Sequence, residues 1–256
     1  MPNVLIVGAT RGLGFQLANQ YARREASVTG TSRSAEPKEG HHDINWVSGI
    51  DVGTEHAGKH IVEHLKGHKQ DLVIISAGFF DKESLDQPNY EAEVTMYKTS
   101  AVGPVFLVHH LRKAGLLRKG SKIIIVSSES GSITLRHESE GGGMFGHHAS
   151  KAASNMVARL LALDLKDEGV AVCAVHPGFM RTDMTKGVGF DKFWESGGAV
   201  KPEEAAKSLI NWIEDEFDIS KTGEYWAPRG AADIGTAEQA LGVKREDLPT
   251  PLQLPW

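Results

Sequence analysis

The sequence predicts a single α/β domain over residues 1–256, built on a doubly wound parallel sheet of about seven strands with helices on both faces. Short apolar runs alternate with helical segments along the chain, as is typical of strands connected by helices. The first run, residues 4–7, leads into a glycine-rich turn at residues 8–14 and then into a helix. An unbroken apolar run suits a strand buried on both faces, and the glycines let the backbone turn tightly after it.

The elements follow in order from these runs. The predicted strands are residues 4–7, 27–32, 46–50, 72–75, 122–126, 170–175 and 222–227. Apolar residues at helical spacing predict helices after residue 15 and over residues 55–65, 90–117 and 147–168. We expect Pro104 to kink the third of these, because proline lacks the backbone donor. Gly169 ends the fourth, and Pro202 begins a further helix.

Composition narrows the class of protein. With 256 residues, of which 40% are hydrophobic, the chain can bury a substantial core. Its net charge of −5 and the absence of a basic run offer no attraction for nucleic acid or an anionic membrane surface. No leader and no apolar run of membrane-spanning length are found, which predicts a cytoplasmic protein. The single cysteine, Cys173, lies in an apolar run and predicts a buried thiol with no disulfide within the chain.

The predicted topology also locates the functional site. In doubly wound sheets, ligands bind outside the carboxyl ends of the strands, near the point where the strand order reverses. The residues that follow strands one, four, five and six should therefore meet: residues 8–14, 76–78, 127–128 and 176–178. A glycine-lined turn into a helix N-terminus presents free N–H donors and partial positive charge. The first of these segments therefore predicts a pyrophosphate site.

The same segments carry a family resemblance. GATRGLG after strand one, SAG after strand four, VSS after strand five, HHASK in the following helix and HPGFMRTDM after strand six occur in this order. In this respect the sequence resembles the short-chain dehydrogenase/reductase family over nearly its whole length. The insertion GGGMFGH and the ending DIGTAEQALGVKREDLPTPLQLPW are similar to the C-factor or sniffer-like branch, particularly its fungal members. The resemblance implies a Rossmann-type fold and an oxidoreductase that uses a nicotinamide dinucleotide.

The residues after strand two indicate which dinucleotide is used. An acidic residue there would bind a ribose 2′-hydroxyl, but the sequence reads Thr31-Ser32-Arg33, with Arg11 as a second cation. Two guanidinium groups suit a 2′-phosphate, which favours NADP(H). The alternative is that both are ordinary solvated arginines. The resemblance implies these cofactor-binding residues: Gly8, Thr10, Arg11, Gly12, Leu13, Gly14, Ser32, Arg33, Asp51, Val52, Ser76, Ala77, Gly78, Lys151, Pro177, Gly178 and Thr182.

The catalytic positions depart from the family pattern. Relatives that reduce carbonyls typically use asparagine, serine, tyrosine and lysine. Here Ser128 and Lys151 match, whereas Ser100 stands at the asparagine position and His147 at the tyrosine position. Histidine can act as an acid or base near neutral pH, but a neighbouring lysine cation disfavours the imidazolium form. His147 is therefore either a proton donor or relay, or a residue that fills the tyrosine's space.

The flanking segments give further expectations. Residues 179–200 contain Phe179, Met180 and Phe190 and would form an apolar lid over a hydrophobic substrate, or would simply pack that loop. Residues 229–256 form a C-terminal tail, whose prolines exclude a regular helix over residues 248–256 and favour an extended segment docked on the surface. The resemblance implies a homodimer or homotetramer that pairs through the helices beginning at Tyr90 and His147.

The function favoured by these features is NADP(H)-dependent reduction of a carbonyl or an imine or iminium in a small, largely apolar molecule. Two alternatives remain: a non-redox isomerase or cyclase that keeps the cofactor pocket, and an NADP(H)-binding regulatory protein. No HExxH, paired-cysteine or GxSxG motif is present, so neither metal catalysis nor serine-hydrolase chemistry is predicted. We expect no metal site.

Overall fold

The computed structural model describes residues 1–34 and 42–256, and its centre is an eight-stranded sheet. The strands are β1 (Asn3–Val7), β2 (Ser27–Thr31), β3 (Ile44–Val47), β4 (Leu72–Ile75), β5 (Lys122–Val126), β6 (Ala171–Val175), β7 (Tyr225–Ala227) and β8 (Leu252–Gln253). They are ordered β3-β2-β1-β4-β5-β6-β7-β8. The first seven are parallel and β8 is antiparallel to β7. The predicted doubly wound parallel sheet is confirmed, with one added antiparallel strand at its edge.

The helices cover both faces of this sheet. They are α1 (Gly12–Arg23), α2 (Ala57–Leu65), α3 (Tyr90–Tyr97), α4 (Gly103–Lys113), α5 (Phe145–Leu165), α6 (Asp183–Gly187), α7 (Pro202–Asp215) and α8 (Ala237–Leu241). One apolar cluster joins the sheet to α2, α4 and α5, and the other joins it to α1 and α7. Within the described residues, no helix is both long and apolar enough to cross a bilayer.

Two predicted elements differ from the structure. The third strand was predicted at residues 46–50, but β3 begins earlier because Ile44 pairs with Val28 of β2. The long helix predicted over residues 90–117 is divided by a π-helical turn, Lys98–Val102. Pro104 lies in the first turn of α4, where a missing donor costs nothing. The interruption is therefore the π turn before the proline and not a kink at it.

The sheet buries its strands as the apolar runs predict. Leu5, Ile6 and Val172 are fully buried, as is Cys173. Burial raises the pKa of the Cys173 thiol, so the protonated form persists, and the thiol donates to the Glu224 carbonyl at 3.1 Å. This cysteine is part of the core, as predicted.

The end of the chain closes the sheet. Leu252 and Gln253 extend it beside β7, and the Leu254 N–H donates to the Tyr225 carbonyl at 2.8 Å. The Trp256 ring stacks on Tyr225 with centroids 5.5 Å apart, and its main-chain carbonyl accepts the Thr134 hydroxyl at 2.8 Å. Residues 252–256 therefore dock in extended form, as their prolines and apolar side chains predict.

Candidate active site

A cleft of about 840 Å³ opens at the carboxyl ends of β1, β4, β5 and β6, where the strand order reverses between β1 and β4. It brings together the four predicted segments. The predicted site residues that line it are Gly8, Thr10, Arg11, Gly12, Leu13, Ser32, Arg33, Asp51, Val52, Ser76, Ala77, Gly78, Ser128, His147, Lys151, Pro177, Gly178 and Thr182. Two others, Gly14 and Ser100, are outside its lining.

The glycine turn fits a closely approaching ligand. Gly8 has a φ of +85°, and a Cβ added to it would lie 2.6 Å from the Cα of Ala77, so only glycine fits there. Gly12 begins α1 and leaves the first N–H groups of the helix facing the cleft. Gly14 has another role, because its Cβ would lie 2.1 Å from the Gly8 carbonyl oxygen. Gly14 thus allows α1 to pack on the β1 turn.

Ser100 also differs from its predicted place. It lies in the π-helical turn before α4 and is buried. Its hydroxyl has no hydrogen-bond partner among the described residues. The neighbouring Thr99 lines the cleft instead.

The two arginines lie at the end of the cleft formed by β1 and β2. Arg11 and Arg33 are both exposed and both line the cleft. Among the described residues, neither side chain has an ion-pair or hydrogen-bond partner. Ser32 between them is buried, with its hydroxyl 3.2 Å from that of Ser48. Within residues 1–34 and 42–256, two guanidinium groups thus line this end of the cleft without an anionic partner, as a 2′-phosphate site would require.

Lys151 lies at the centre of the cleft on α5. Its ammonium group donates to the Val126 carbonyl at 2.9 Å, and no other hydrogen bond of this group is found in the described residues. Burial lowers the pKa of Lys151 to about 8, because no carboxylate compensates for the loss of water. An ammonium has three donors, so two remain for a ligand such as a ribose diol.

His147 stands one helical turn before Lys151, on the same face of α5. Its ring stacks on Phe80 with centroids 4.1 Å apart and an interplanar angle of 27°. Burial, with a further contribution from the Lys151 charge, lowers the pKa of His147 to about 3. The buried Nδ1 has no hydrogen-bond partner within the described residues. The ring is therefore a neutral imidazole at neutral pH, and the expected effect of the lysine charge is confirmed.

An apolar wall surrounds His147. The rings of Phe190 and Phe80 meet edge to face with centroids 5.8 Å apart. The rings of Phe193 and Phe190 also meet edge to face, with centroids 6.1 Å apart. Within the segment 179–200, the residues that line the cleft are Phe179, Met180, Arg181, Thr182, Asp183, Met184, Thr185, Phe190, Phe193 and Gly197. Phe190 and Phe193 of this segment join Phe80 near His147, so a ligand group beside His147 would meet aromatic surfaces.

Charged residues that the sequence patterns did not assign also line the cleft. Glu129 and Glu140 both do so, and both pair with Arg136 behind them. His176 and Asp233 form a buried pair, with Nε2 of the histidine 3.4 Å from Oδ2 of the aspartate. His176 belongs to the predicted segment 176–178, and the structure places it in the cleft lining. Asp233 is the first residue of the ending DIGTAEQALGVKREDLPTPLQLPW, which carries a family resemblance but was not assigned to the site.

In sequence, the chain is similar to known dehydrogenases and oxidoreductases. A family model described as short chain dehydrogenase matches residues 2–192. A 1-hydroxy-2-glutathionyl-2-methyl-3-butene dehydrogenase from Rhodococcus sp. (strain AD45) is 30% identical over 217 residues, covering 84% of this chain and 92% of the relative. An uncharacterized oxidoreductase from Saccharomyces cerevisiae is 28% identical over 229 residues, covering 80% and 87%.

Solved structures show the same fold. The NADPH-bound carbonyl reductase from chicken fatty liver is similar with a TM-score of 0.72 and 23% identity, covering 89% of this chain and 96% of that one. The putative carbonyl reductase Sniffer of Caenorhabditis elegans gives a TM-score of 0.72 at 22% identity, covering 89% and 97%. The family model and the Rhodococcus relative both span most of the sequence, and the chain therefore belongs to the short-chain dehydrogenase family.

Proposed function

We propose that this protein is an NADP(H)-dependent reductase that acts on a carbonyl or an imine or iminium of a small, largely apolar molecule. The observation that carries the proposal is that one cleft holds the glycine turn, Ser128, His147, Lys151 and two arginines that have no ion-pair partner in the described part of the chain. Its relatives include a dehydrogenase and structures with bound NADPH. The similarity to the C-factor or sniffer-like branch, particularly its fungal members, and a cytoplasmic location belong to the same proposal.

The chain's residues divide the cleft into two halves. In the first, the Gly8–Gly12 turn would bind the pyrophosphate, Arg11 and Arg33 the 2′-phosphate, and Asp51 the adenine. The remaining contacts come from residues nearer the centre: Ser76, Ala77, Gly78 and Lys151 along the cofactor, and Pro177, Gly178 and Thr182 at its nicotinamide end. The second half, with Phe80, Phe190 and Met184, would hold the substrate.

The proton path uses three residues of this chain. When bound, NADPH supplies a hydride to the acceptor carbon. The hydroxyl of Ser128 orients the acceptor oxygen, His147 donates the proton of one ring nitrogen to that oxygen, and the Lys151 ammonium replaces the proton on the ring. Because the pKa of His147 is about 3, the ring acts as a neutral relay. Lys151, whose pKa is about 8, is the group that still holds a proton to give at neutral pH.

An iminium acceptor would remove the need for a proton from His147 or Lys151. Its nitrogen loses the positive charge when hydride arrives, so no proton needs to be delivered to it. The low pKa of His147 therefore slows reduction of such a substrate less than it slows reduction of a ketone. Ketones and cyclic iminium ions are therefore the two substrate classes to compare.

A substrate panel tests the proposal. We expect NADPH oxidation at 340 nm with at least one small apolar ketone, aldehyde or cyclic iminium ion, together with the matching reduced product. A product formed without cofactor oxidation would instead indicate an isomerase or cyclase. Tight NADPH binding with no turnover across the panel would indicate a binding protein, and either outcome contradicts the proposal.

Arg33 should set the preference for NADPH over NADH. Removing it in Arg33→Ala deletes a charged contact to the 2′-phosphate, which is typically equivalent to about 1–3 kcal/mol. We expect fluorescence titration to show weaker NADPH binding and unchanged NADH binding. Arg23→Ala at the end of α1 is the matched control, because Arg23 is exposed and is not among the residues that line the cleft. Equal affinities of the unmodified protein for the two cofactors would contradict the assignment.

Assembly into a homodimer or homotetramer is also proposed. Large apolar side chains are exposed on α4 and α5: Val105, Phe106, Met156, Leu160 and Leu163. Two adjacent helices with apolar outer surfaces suit pairing with a second copy. We expect sedimentation at micromolar concentration to give an oligomer that Leu160→Glu dissociates and the exposed α7 substitution Lys207→Glu does not. A monomer before any substitution would refute the proposal.

A further inference from the structure

A buried histidine–aspartate pair lines the cleft and has no part in the proposed reaction. The side chains of His176 and Asp233 are 6% and 1% exposed, and both residues line the cleft. Asp233 lies beyond the residues matched by the family model, which end at 192. The pair therefore joins a part of the chain outside that match to the nicotinamide end of the proposed cofactor site.

His176 connects two of the segments that form the site. The Glu129 N–H donates to its Nδ1 at 3.0 Å, so Nδ1 is unprotonated and the ring proton is on Nε2, facing Asp233. Glu129 directly follows Ser128, the residue proposed to orient the substrate. The tautomer that Asp233 favours is therefore the one that allows the Ser128–Glu129 turn to dock on His176.

Asp233 forms a hydrogen bond to the backbone of Phe179 and packs closely on Gly178. Its Oδ2 accepts the N–H of Phe179, the first residue of the segment 179–200. A Cβ added to Gly178 would lie 3.1 Å from the same oxygen and 2.9 Å from Cδ of Arg229, so the loop is in close contact with this C-terminal segment. Burial would raise the pKa of Asp233, but His176 and the Phe179 donor hold the pKa below its ordinary value, so the group is a carboxylate.

We propose that Asp233 is a positioning residue that fixes Pro177–Phe179 and the Ser128–Glu129 turn as one unit, and so shapes the nicotinamide end of the cleft. It acts through His176 and the Phe179 amide and touches neither substrate nor the reacting atoms. The functional part of this inference rests on the proposed NADP(H) binding. The structural part, the restraint of residues 176–179, does not depend on it.

Two ligands separate the two ends of the cleft. We expect Asp233→Ala to weaken NADPH binding by about tenfold or more, as the loss of a buried charged contact predicts, while 2′,5′-ADP binding changes by less than about twofold. Binding of 2′,5′-ADP reports only on the end of the cleft that contains Arg11 and Arg33, because this ligand has no nicotinamide. Asp233→Asn keeps an acceptor for the Phe179 amide but removes the charge facing His176, and should give an intermediate loss. Glu204→Gln is the control, because Glu204 pairs with the neighbouring Arg229 and its side chain is 58% exposed.

Hydrogen exchange gives a readout that needs no cofactor. In Asp233→Ala the peptide that contains Phe179 should exchange faster, while the β6 peptide stays protected. Equal losses for NADPH and 2′,5′-ADP, or unchanged exchange at Phe179, would overturn the inference and leave Asp233 a residue of general stability. If the unmodified protein bound no NADPH, the proposed function would fail, whereas the exchange comparison would still decide the positioning role. Should Asp233→Ala not fold, the same comparisons apply to Asp233→Asn.

Discussion

Reduction of a ketone is expected to slow by roughly 10²–10⁴-fold in His147→Phe, the range typical of a lost general acid. Phenylalanine keeps an aromatic ring to stack on Phe80, which now lies 4.1 Å from the imidazole, but it removes both nitrogens. The substitution therefore tests proton transfer with little change in packing. His147→Tyr should keep or raise the rate, because a tyrosine hydroxyl restores the pattern that Lys151 is placed to assist.

His148→Phe is the matched control for this prediction. His148 is the next residue of α5, and its Nδ1 lies 2.9 Å from the Met144 carbonyl outside the cleft lining. We expect the control to reduce ketones at nearly the original rate. A nearly silent His147→Phe, with NADPH binding unchanged, would mean that His147 only fills space. With a cyclic iminium substrate, by contrast, His147→Phe should have little effect, because no proton is transferred to the acceptor.

Loss of the Lys151 ammonium is expected to have the second largest effect. Lys151→Met should slow ketone reduction by roughly 10²–10⁴-fold and should also weaken NADPH binding, since the two donors proposed for the ribose are removed. Lys166→Met, at an exposed site just after α5, should change neither quantity. Unchanged ketone reduction in Lys151→Met would remove the proposed proton source.

The pH dependence of the unmodified protein follows from the same residue. The pKa of Lys151 is about 8, and its protonated form supplies the proton. Reduction should therefore be fastest below that pKa and should fall as the pH rises through it. His147, with a pKa of about 3, should add no ionisation near neutrality. A rate that instead fell as the pH rose through about 6.5, the ordinary histidine value, would show that the imidazolium is the acid.

The parts of the molecule that could be predicted from sequence are those fixed by local chemistry. The unbroken apolar run at β1 and the glycines after it allow only a buried strand and a tight turn, and both were confirmed. The β3 boundary was wrong because pairing of Ile44 with Val28 is a tertiary contact that a run of apolar letters does not show. The π turn before α4 likewise depends on packing, since a Cβ on Gly103 would lie 2.0 Å from the Val52 carbonyl.

The candidate site likewise contains residues that could be predicted from sequence and residues that could not. The family resemblance implied that Ser128, His147 and Lys151 share one site, and all three line the cleft. The meeting of the segments after β1, β4, β5 and β6 followed from the parallel sheet. Whether His147 is charged could not be read from the sequence, since burial is the largest cause of its low pKa and burial depends on the whole fold. Phe80 and Asp233 were missed for a similar reason. Each reaches the cleft from a loop. Phe80 belongs to no motif, and Asp233 begins a C-terminal segment to which no site residue was assigned.

Transfer of deuterium from cofactor to product tests the central claim most directly. The protein would be supplied with NADPH that carries deuterium on both C4 positions of the nicotinamide, in ordinary water, with a ketone from the panel. We predict a product with one deuterium on the former carbonyl carbon, detected by mass spectrometry, and the same labelled product formed roughly 10²–10⁴-fold more slowly in Lys151→Met. A product that forms at the same rate without NADPH, or that carries no deuterium, would contradict the assignment of this protein as a reductase.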